Sequence, residues 1–289
     1  MTDNIDKAIA VVGPTAAGKT KLAIALAHKY QGEIIGADSR QVYKGMDIGT
    51  GKDLDDYYNN GHPIPYHLID VVEPTENFDV ANYQRLARQA LNSILAQGHL
   101  PIVAGGSGLY LQALIDNYEF SPAKPNTALR QDLEKLSAQE LYQKLNNLAP
   151  ALASKLNNSD RHNHRRLIRY LEIILNKPTN SLPHKNSHSI INWLILGIDY
   201  PMEILEQRIY DRLIERLENE AMIEEVYRLH EQGVDWRRLE SFGLEYRFIS
   251  RYLREQLDYD QMVEQLYIAI RQFAKRQKTW FKRWEKQGR

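Results

Sequence analysis

Strand-length and helix-length hydrophobic spacings alternate along the chain. Ala8-Ile9-Ala10-Val11-Val12 is a short apolar run that stops at Gly13. After Thr20, the residues Leu22, Ala23, Ile24, Leu26 and Ala27 recur with the spacing of one buried helix face. A second run, Glu33 to Ala37, leads into Asp38-Ser39-Arg40-Gln41-Val42-Tyr43. His67 to Val72 predicts a third strand, closed by Pro74. Tyr83, Ala87, Ala90, Leu91, Ile94 and Leu95 predict a helix from Val80 to Ala96, with Gly98 as its stop. Leu100 to Ala104 predicts a further strand, and Gly105-Gly106-Ser107-Gly108 a glycine turn opening the helix that carries Leu109, Tyr110, Leu111 and Leu114. Repeated strand, glycine turn and helix predict a parallel α/β sheet.

The pattern changes near Ser121. Pro122, Pro125 and Asn126 mark a break, and Leu129 to Leu152 has helical spacing. A polar and basic stretch, Asp160 to Arg166, precedes a helical run from Leu167 to Ile174. Pro178 to Ser189 has the composition of a linker, and Ile191 to Ile198 returns to strand spacing. From Met202 onward the spacing is mostly helical. The expected organisation is an α/β core of the P-loop NTPase-like kind over 1–120 and 190–289. Its C-terminal part is largely helical, and a helical insertion domain occupies 121–189.

Composition narrows the classes. A chain of 289 residues has room for one large domain with an insertion, and the absence of cysteine excludes disulfides, Cys-type zinc sites and thiol nucleophiles. The N-terminus lacks a signal-peptide pattern, and no apolar run nears the ~18–20 residues of a membrane span. A soluble, cytoplasmic monomer with no membrane partner is expected. Formal net charge is zero, but Arg271, Lys275, Arg276, Lys278, Lys282, Arg283, Lys286 and Arg289 face only Glu285 in the final stretch. That asymmetry predicts a local polyanion site, with Phe273, Trp280, Phe281 and Trp284 supplying rings suited to bases.

Gly13-Pro14-Thr15-Ala16-Ala17-Gly18-Lys19-Thr20 fills the phosphate-loop pattern at every fixed position, between a strand and a helix start. Successive backbone N–H groups can turn inward around phosphate oxygens, and the helix N-terminus adds partial positive charge. Lys19 can reach an outer phosphate, and the Thr20 hydroxyl is suited to a magnesium ion. Asp38, at the end of the second strand, is expected to face the loop across the crevice above the sheet. Gly45 to Lys52 has the punctuation of an active-site loop. No N-K-x-D motif argues for a GTPase, and the late strand ends in Asp199-Tyr200-Pro201 rather than the Asp-Glu of helicases and motors. A small-molecule or nucleoside kinase using ATP stays open, with Asp38 taking a proton from a substrate hydroxyl.

Three blocks resemble the signatures of bacterial tRNA dimethylallyltransferases: Gly13 to Thr20, Asp38 to Thr50, and Gly105 to Tyr110. Phe273 to Phe281 resembles that family's closing block, and His67 to Asp70 and Arg166 to Glu172 fit intermediate ones. The similarity runs from about Ile9 to Trp284. It implies transfer of a dimethylallyl group from its diphosphate to N6 of adenosine 37, beside the tRNA anticodon. The resemblance makes Asp38 the general base and puts Ser107 where the family usually has Thr, against the reacting adenosine. Gly13, Thr15, Ala16, Ala17, Gly18, Lys19, Thr20 and Arg212 would bind the diphosphate, with magnesium at Thr20. Asp38, Ser39, Arg40, Gln41, Ser107, Arg165, Arg166, Arg169, Lys275, Arg276, Gln277 and Trp280 would contact the anticodon stem-loop.

Departures from the family pattern are Ala17 for Ser, Glu220-Ala221 near the Glu-Val pair, and Gly243-Leu244-Glu245-Tyr246. With no cysteine in the sequence, the zinc-finger extension of eukaryotic relatives is not expected. Besides the kinase, the rivals are prenylation of free adenine nucleotides and an RNA-binding module with a degenerate loop. Bland roles compete residue by residue: a turn or cap at Asp38, a helix cap at Ser107, and solvated charges at Arg212 and the basic tail. The nine histidines show no metal-ligand spacing.

Overall fold

A computed structural model describes residues 6–59, 62–120, 126–176, 184–185 and 191–288. The chain forms two compact units, Met1–Asn117 with His188–Arg289, and Tyr118–Ser187.

In the first unit, β1 (Lys7–Val12), β2 (Gly32–Gly36), β5 (Tyr66–His67), β6 (Leu100–Gly105) and β9 (Asn192–Gly197) form a parallel sheet in the order β5-β2-β6-β1-β9. Two short strands, β3 (Tyr58–Asn59) and β4 (His62–Pro63), pair separately. The apolar runs of β1, β2 and β6 are nearly unbroken because these strands are covered on both faces. Alternate residues serve different layers. Ile9 and Val11 join Ile34, Ile102 and α1 (Lys19–Tyr30), which contributes Ala23, Ile24 and Ala27. Ala10 and Val12 join Ile35 and Val103 on the other face, against α2 (Val80–Ala96) and α3 (Gly108–Ile115). The Val80–Ala96 helix has its predicted bounds, with Asp79 as N-cap accepting the Asn82 N–H at 2.9 Å.

The third predicted strand is largely absent. Only its first residue, His67, joins the sheet, because Leu68 (φ 63) and Asp70 (φ 54) leave extended geometry. A single bridge between Tyr43 and Val72 continues the edge. The turn aims Asp70 at Lys52, whose fully buried ammonium also donates to Tyr43 O and Asp47 Oδ1, both at 2.7 Å.

The second unit contains β7 (Tyr118–Glu119), α4 (Thr127–Leu133), α5 (Ala138–Leu148), α6 (Pro150–Ala153), α7 (Asn158–Arg161), α8 (His164–Asn176) and β8 (His184–Lys185). Leu133, Leu141, Leu145, Leu167 and Leu171 form its core. Glu172 lies inside, accepting Arg130 Nε at 2.8 Å, Arg169 Nη1 at 2.6 Å and Asn126 N–H at 2.7 Å. Burial works against its charge, but these donors outweigh it and hold the carboxyl down at about 2. Pro122, Pro125 and most of the Pro178–Ser189 linker fall outside the described residues.

The remaining elements return to the first unit: α9 (Met202–Glu218), α10 (Met222–Glu231), α11 (Trp236–Phe242), α12 (Leu244–Leu253) and α13 (Tyr259–Lys286). Leu205, Ile209, Leu213, Val226, Ile249, Leu266 and Ile270 pack together and enclose Val42, Tyr43 and Met46 from the segment after β2. Glu225 of α10 fixes that segment. Its carboxylate accepts the N–H groups of Asp47 and Ile48 at 2.7 Å and of Gly49 at 3.1 Å, and the Tyr246 hydroxyl at 2.6 Å. A charged acceptor holding buried N–H groups is stronger than a neutral one. Glu225→Gln is therefore expected to lower stability by about 2–4 kcal/mol in chemical denaturation, since an amide nitrogen would face N–H donors.

Candidate functional site

Above the carboxyl ends of β1, β2 and β6 lies a cavity of about 1390 Å³. β1 ends in the phosphate loop, where Gly18 (φ 86) takes a left-handed conformation that starts α1 at Lys19. Thr15, Ala16, Gly18, Lys19 and Thr20 line the cavity, while Gly13 and Ala17 are buried within the loop. Opposite stand Asp38, Ser39, Arg40, Gln41 and Ser107. The two sides are held in register by backbone: Ala37 N–H donates to Ala104 O at 2.8 Å, and Ser107 N–H to Ala37 O at 3.1 Å.

Asp38 occupies a turn, with Oδ1 accepting the Arg40 N–H at 2.9 Å. Its other carboxylate oxygen has no hydrogen bond among the described residues, and the side chain borders the cavity. Ser107 sits at the N-cap position of α3 but makes no cap bond; its Oγ accepts the Ser39 N–H at 3.1 Å. Gln41 donates to Thr50 O at 3.2 Å and Gly51 O at 2.8 Å, tying the Asp38 turn to the loop fixed by Glu225.

Arg212 is no solvated charge. Its Nη2 donates to Thr15 Oγ1 at 2.5 Å, and enclosure, with Arg216 close by, brings its guanidinium down to about 10. Arg208, one turn earlier, donates through Nε to Ala16 O at 2.8 Å. Arg216, one turn later, is buried and pairs with Asp53 at 3.2 Å. Only Arg212 of this stripe was expected from sequence, although the spacing 208, 212, 216 puts all three on one helix face.

Lys19 donates to Pro14 O at 2.7 Å. Enclosure lowers its ammonium to about 8, with Asp38 opposing that shift and Arg212 adding to it. A diphosphate bound beside it would restore the full ammonium.

The basic tail divides. Lys275 and Arg276 are exposed, and Arg276 borders the cavity. Gln277 and Trp280, expected to contact RNA, are buried and half-buried, and Gln277 also borders the cavity. Gln277 Oε1 accepts the Thr15 N–H at 2.8 Å, and its Nε2 donates to Gly106 O at 3.0 Å. Trp280 packs where a Cβ on Gly108 would lie 2.5 Å from its ring. Helical periodicity explains both: α13 buries Ala274, Gln277 and Trp284 on one side and exposes Lys275, Arg276, Lys282 and Arg283 on the other, while Lys278 turns back to Asp199. Arg165 is exposed on α8 of the second unit, whereas Arg166 pairs with Asp160 and Arg169 with Glu172.

Comparison with known proteins places these features in context. The family profile described as IPP transferase matches residues 41–284. tRNA dimethylallyltransferase 1 of Syntrophus aciditrophicus (strain SB) is 44% identical over 280 residues, covering 97% of this chain and 90% of that protein. The crystal structure of the full-length tRNA isopentenylpyrophosphate transferase from Bacillus halodurans has a TM-score of 0.68 at 34% identity, covering 96% of this chain and 87% of that one. A eukaryotic dimethylallyltransferase acting on tRNA has a TM-score of 0.77 at 28% identity, covering 95% of this chain and 69% of that one.

Lys19 generates a pH prediction. Below about 8 the free ammonium is charged and above it neutral, so affinity for inorganic pyrophosphate should fall by up to ~10-fold per pH unit above that point. Lys19→Arg, charged throughout, should lack this limb in calorimetric titrations. A limb retained in Lys19→Arg would assign it to another group.

Proposed function

This chain belongs to the IPP transferase family, and from that premise we propose that it moves a dimethylallyl group from dimethylallyl diphosphate to N6 of the adenosine beside the tRNA anticodon, releasing pyrophosphate. The observation that carries this reading is the single cavity bordered by both the phosphate loop and the Asp38 carboxylate. A kinase is not favoured, because relatives matched along nearly the whole chain are named for prenyl transfer.

An exocyclic adenine amine is a weak nucleophile, since its lone pair is delocalised into the ring. As N6 attacks C1 of the prenyl group, the C1–O bond breaks and its electron pair leaves on pyrophosphate, while Asp38 accepts the N6 proton. The loop N–H groups, Lys19 and Arg212 meet the charge developing on the leaving oxygens. Ser107, bonded to the Asp38 turn through Ser39, orients the adenosine. The family's chemistry calls for a divalent metal. Among the described residues no cluster of three or more His, Asp or Glu could hold one alone. That donor set fits magnesium, which takes most of its ligands from substrate phosphates and water, with Thr20 as the protein ligand. When bound, the ion would neutralise pyrophosphate charge.

Lys275 and Arg276 are the tail residues suited to tRNA phosphates, and Arg165 offers a further exposed cation. The helical unit, Tyr118–Ser187, is the insertion domain in this reading, and one chain supplies every group invoked. No helix among the described residues is long and apolar enough to cross a membrane, and a tRNA substrate makes the cytoplasm the expected compartment.

Mass spectrometry of nucleosides from tRNA incubated with enzyme and donor tests the reaction, with N6-prenylated adenosine expected and a phosphorylated product counting against it. Asp38→Asn should keep tRNA affinity and lower turnover on the order of 10²–10⁴-fold; near-normal turnover would remove Asp38 from the chemistry. Replacing Lys275 and Arg276 together by Ala should flatten the slope of log affinity for tRNA against log salt by about 1–2 units. An unchanged slope would return both to solvent.

A further inference from the structure

Glu245 of α12 borders the large cavity yet has no part in the steps above. It also borders a small chamber of about 10 Å³ in the cavity wall. The other charged side chains of that chamber are Arg212 and Arg216, and Ile209, Leu213, Met222 and Ile270 complete it. Two guanidiniums one helical turn apart thus face one carboxylate across a largely apolar chamber. The ion-pair partners of Arg216 lie at the solvent edge. Its side chain is 5% exposed, but its partners Asp53, at 3.2 Å, and Glu220, at 3.7 Å, are both nearly half exposed to solvent. Its buried Nε makes no hydrogen bond among the described residues.

We propose that Glu245 is the counter-charge of the arginine pair and sets how weakly pyrophosphate is held, so that the product leaves. This rests on the diphosphate reading of the loop. A leaving pyrophosphate carries more charge than the donor it came from. It meets Lys19, the loop N–H groups and Arg212 in an enclosed space where opposite charges attract strongly. Binding that grips product as firmly as the transition state slows turnover without helping chemistry. A carboxylate behind Arg212 and Arg216 subtracts from that grip while leaving both guanidiniums in place. The groups acting on Glu245 are compatible with this role: burial raises its carboxyl, its own backbone N–H and then Arg216 and Arg212 oppose the rise, and Asp38 adds to it. An arriving anion would favour protonation of Glu245 further, easing binding and then reversing on release.

The sign of the effect separates this role from a structural one. Titration of inorganic pyrophosphate, with magnesium, into wild type and Glu245→Gln should show ~10-fold tighter binding in the variant. Pyrophosphate inhibition of prenyl transfer should deepen by the same factor. Glu245→Leu, a second neutral variant, is expected to behave alike and serves if the glutamine protein does not fold. Glu218→Gln, on the exposed side of α9, should match wild type. Unchanged or weaker binding in a folded neutral variant would overturn the inference, since loss of a mere scaffold for the arginines weakens the site. If wild-type protein binds no pyrophosphate, the diphosphate reading of the loop fails, and this inference with it.

Discussion

Gln277 reaches from α13 into the gap between two glycine turns and satisfies a backbone group on each side, the Thr15 N–H and the Gly106 carbonyl. Buried amides of this kind are costly to leave unpaired, so the contact fixes three segments at once. The phosphate loop, the turn after β6 and α13 hold one arrangement or lose two buried hydrogen bonds together. The turn is shaped to admit the clamp. A side chain at Gly106 would collide with the Gln277 amide, and one at Gly108 with the Trp280 ring. Glycine at these positions serves close approach, and the inward face of α13 is the reason.

Around that clamp, charged side chains hold the irregular segments in place. Glu225 holds the Asp47–Gly49 backbone, Lys52 gathers Asp47, Asp70 and the Tyr43 carbonyl, and Arg208 and Arg212 grip the phosphate loop through Ala16 and Thr15. Glu225, Arg208 and Arg212 sit on helices and reach into irregular segments, while Lys52, fully buried, gathers its partners from within one. The cavity lining is therefore loop-built but helix-held, which lets residues with special backbone angles persist. Ala16, at φ 59, turns its carbonyl toward Arg208 in this way.

The sheet was legible because strands buried on both faces spell themselves as apolar runs, and glycine turns mark their ends. β1, β6, α2 and β9 lie within a residue or so of where spacing put them. The strand predicted through Val72 was not, since Leu68 and Ile69 look apolar whether extended or turned, and Lys52, distant in sequence, decides which. Asp38 and the phosphate loop were legible as local patterns. Arg208, Arg216, Glu225 and Glu245 were not, because each acts on a segment far along the chain that no local window spans. In the tail, composition suggested RNA-facing cations and rings alike, whereas the helical period sorts Gln277 and Trp280 inward and Lys275 and Arg276 outward. Applied to the tail, that period would have separated them.

The span of the Gln277 contact also bears on how the protein is born. Thr15 and Gln277 are 262 positions apart, and β1 pairs with β9, whose residues come after the whole second unit. A ribosome adds about 5–20 residues each second, so the phosphate loop leaves the exit tunnel many seconds before the side chain that closes it. In that interval β1 can pair with β6 but lacks its other neighbour, and the Thr15 N–H lacks its acceptor. Such long-range closure slows folding. It also means that a nascent chain holds a loop without a working site until α13 has emerged.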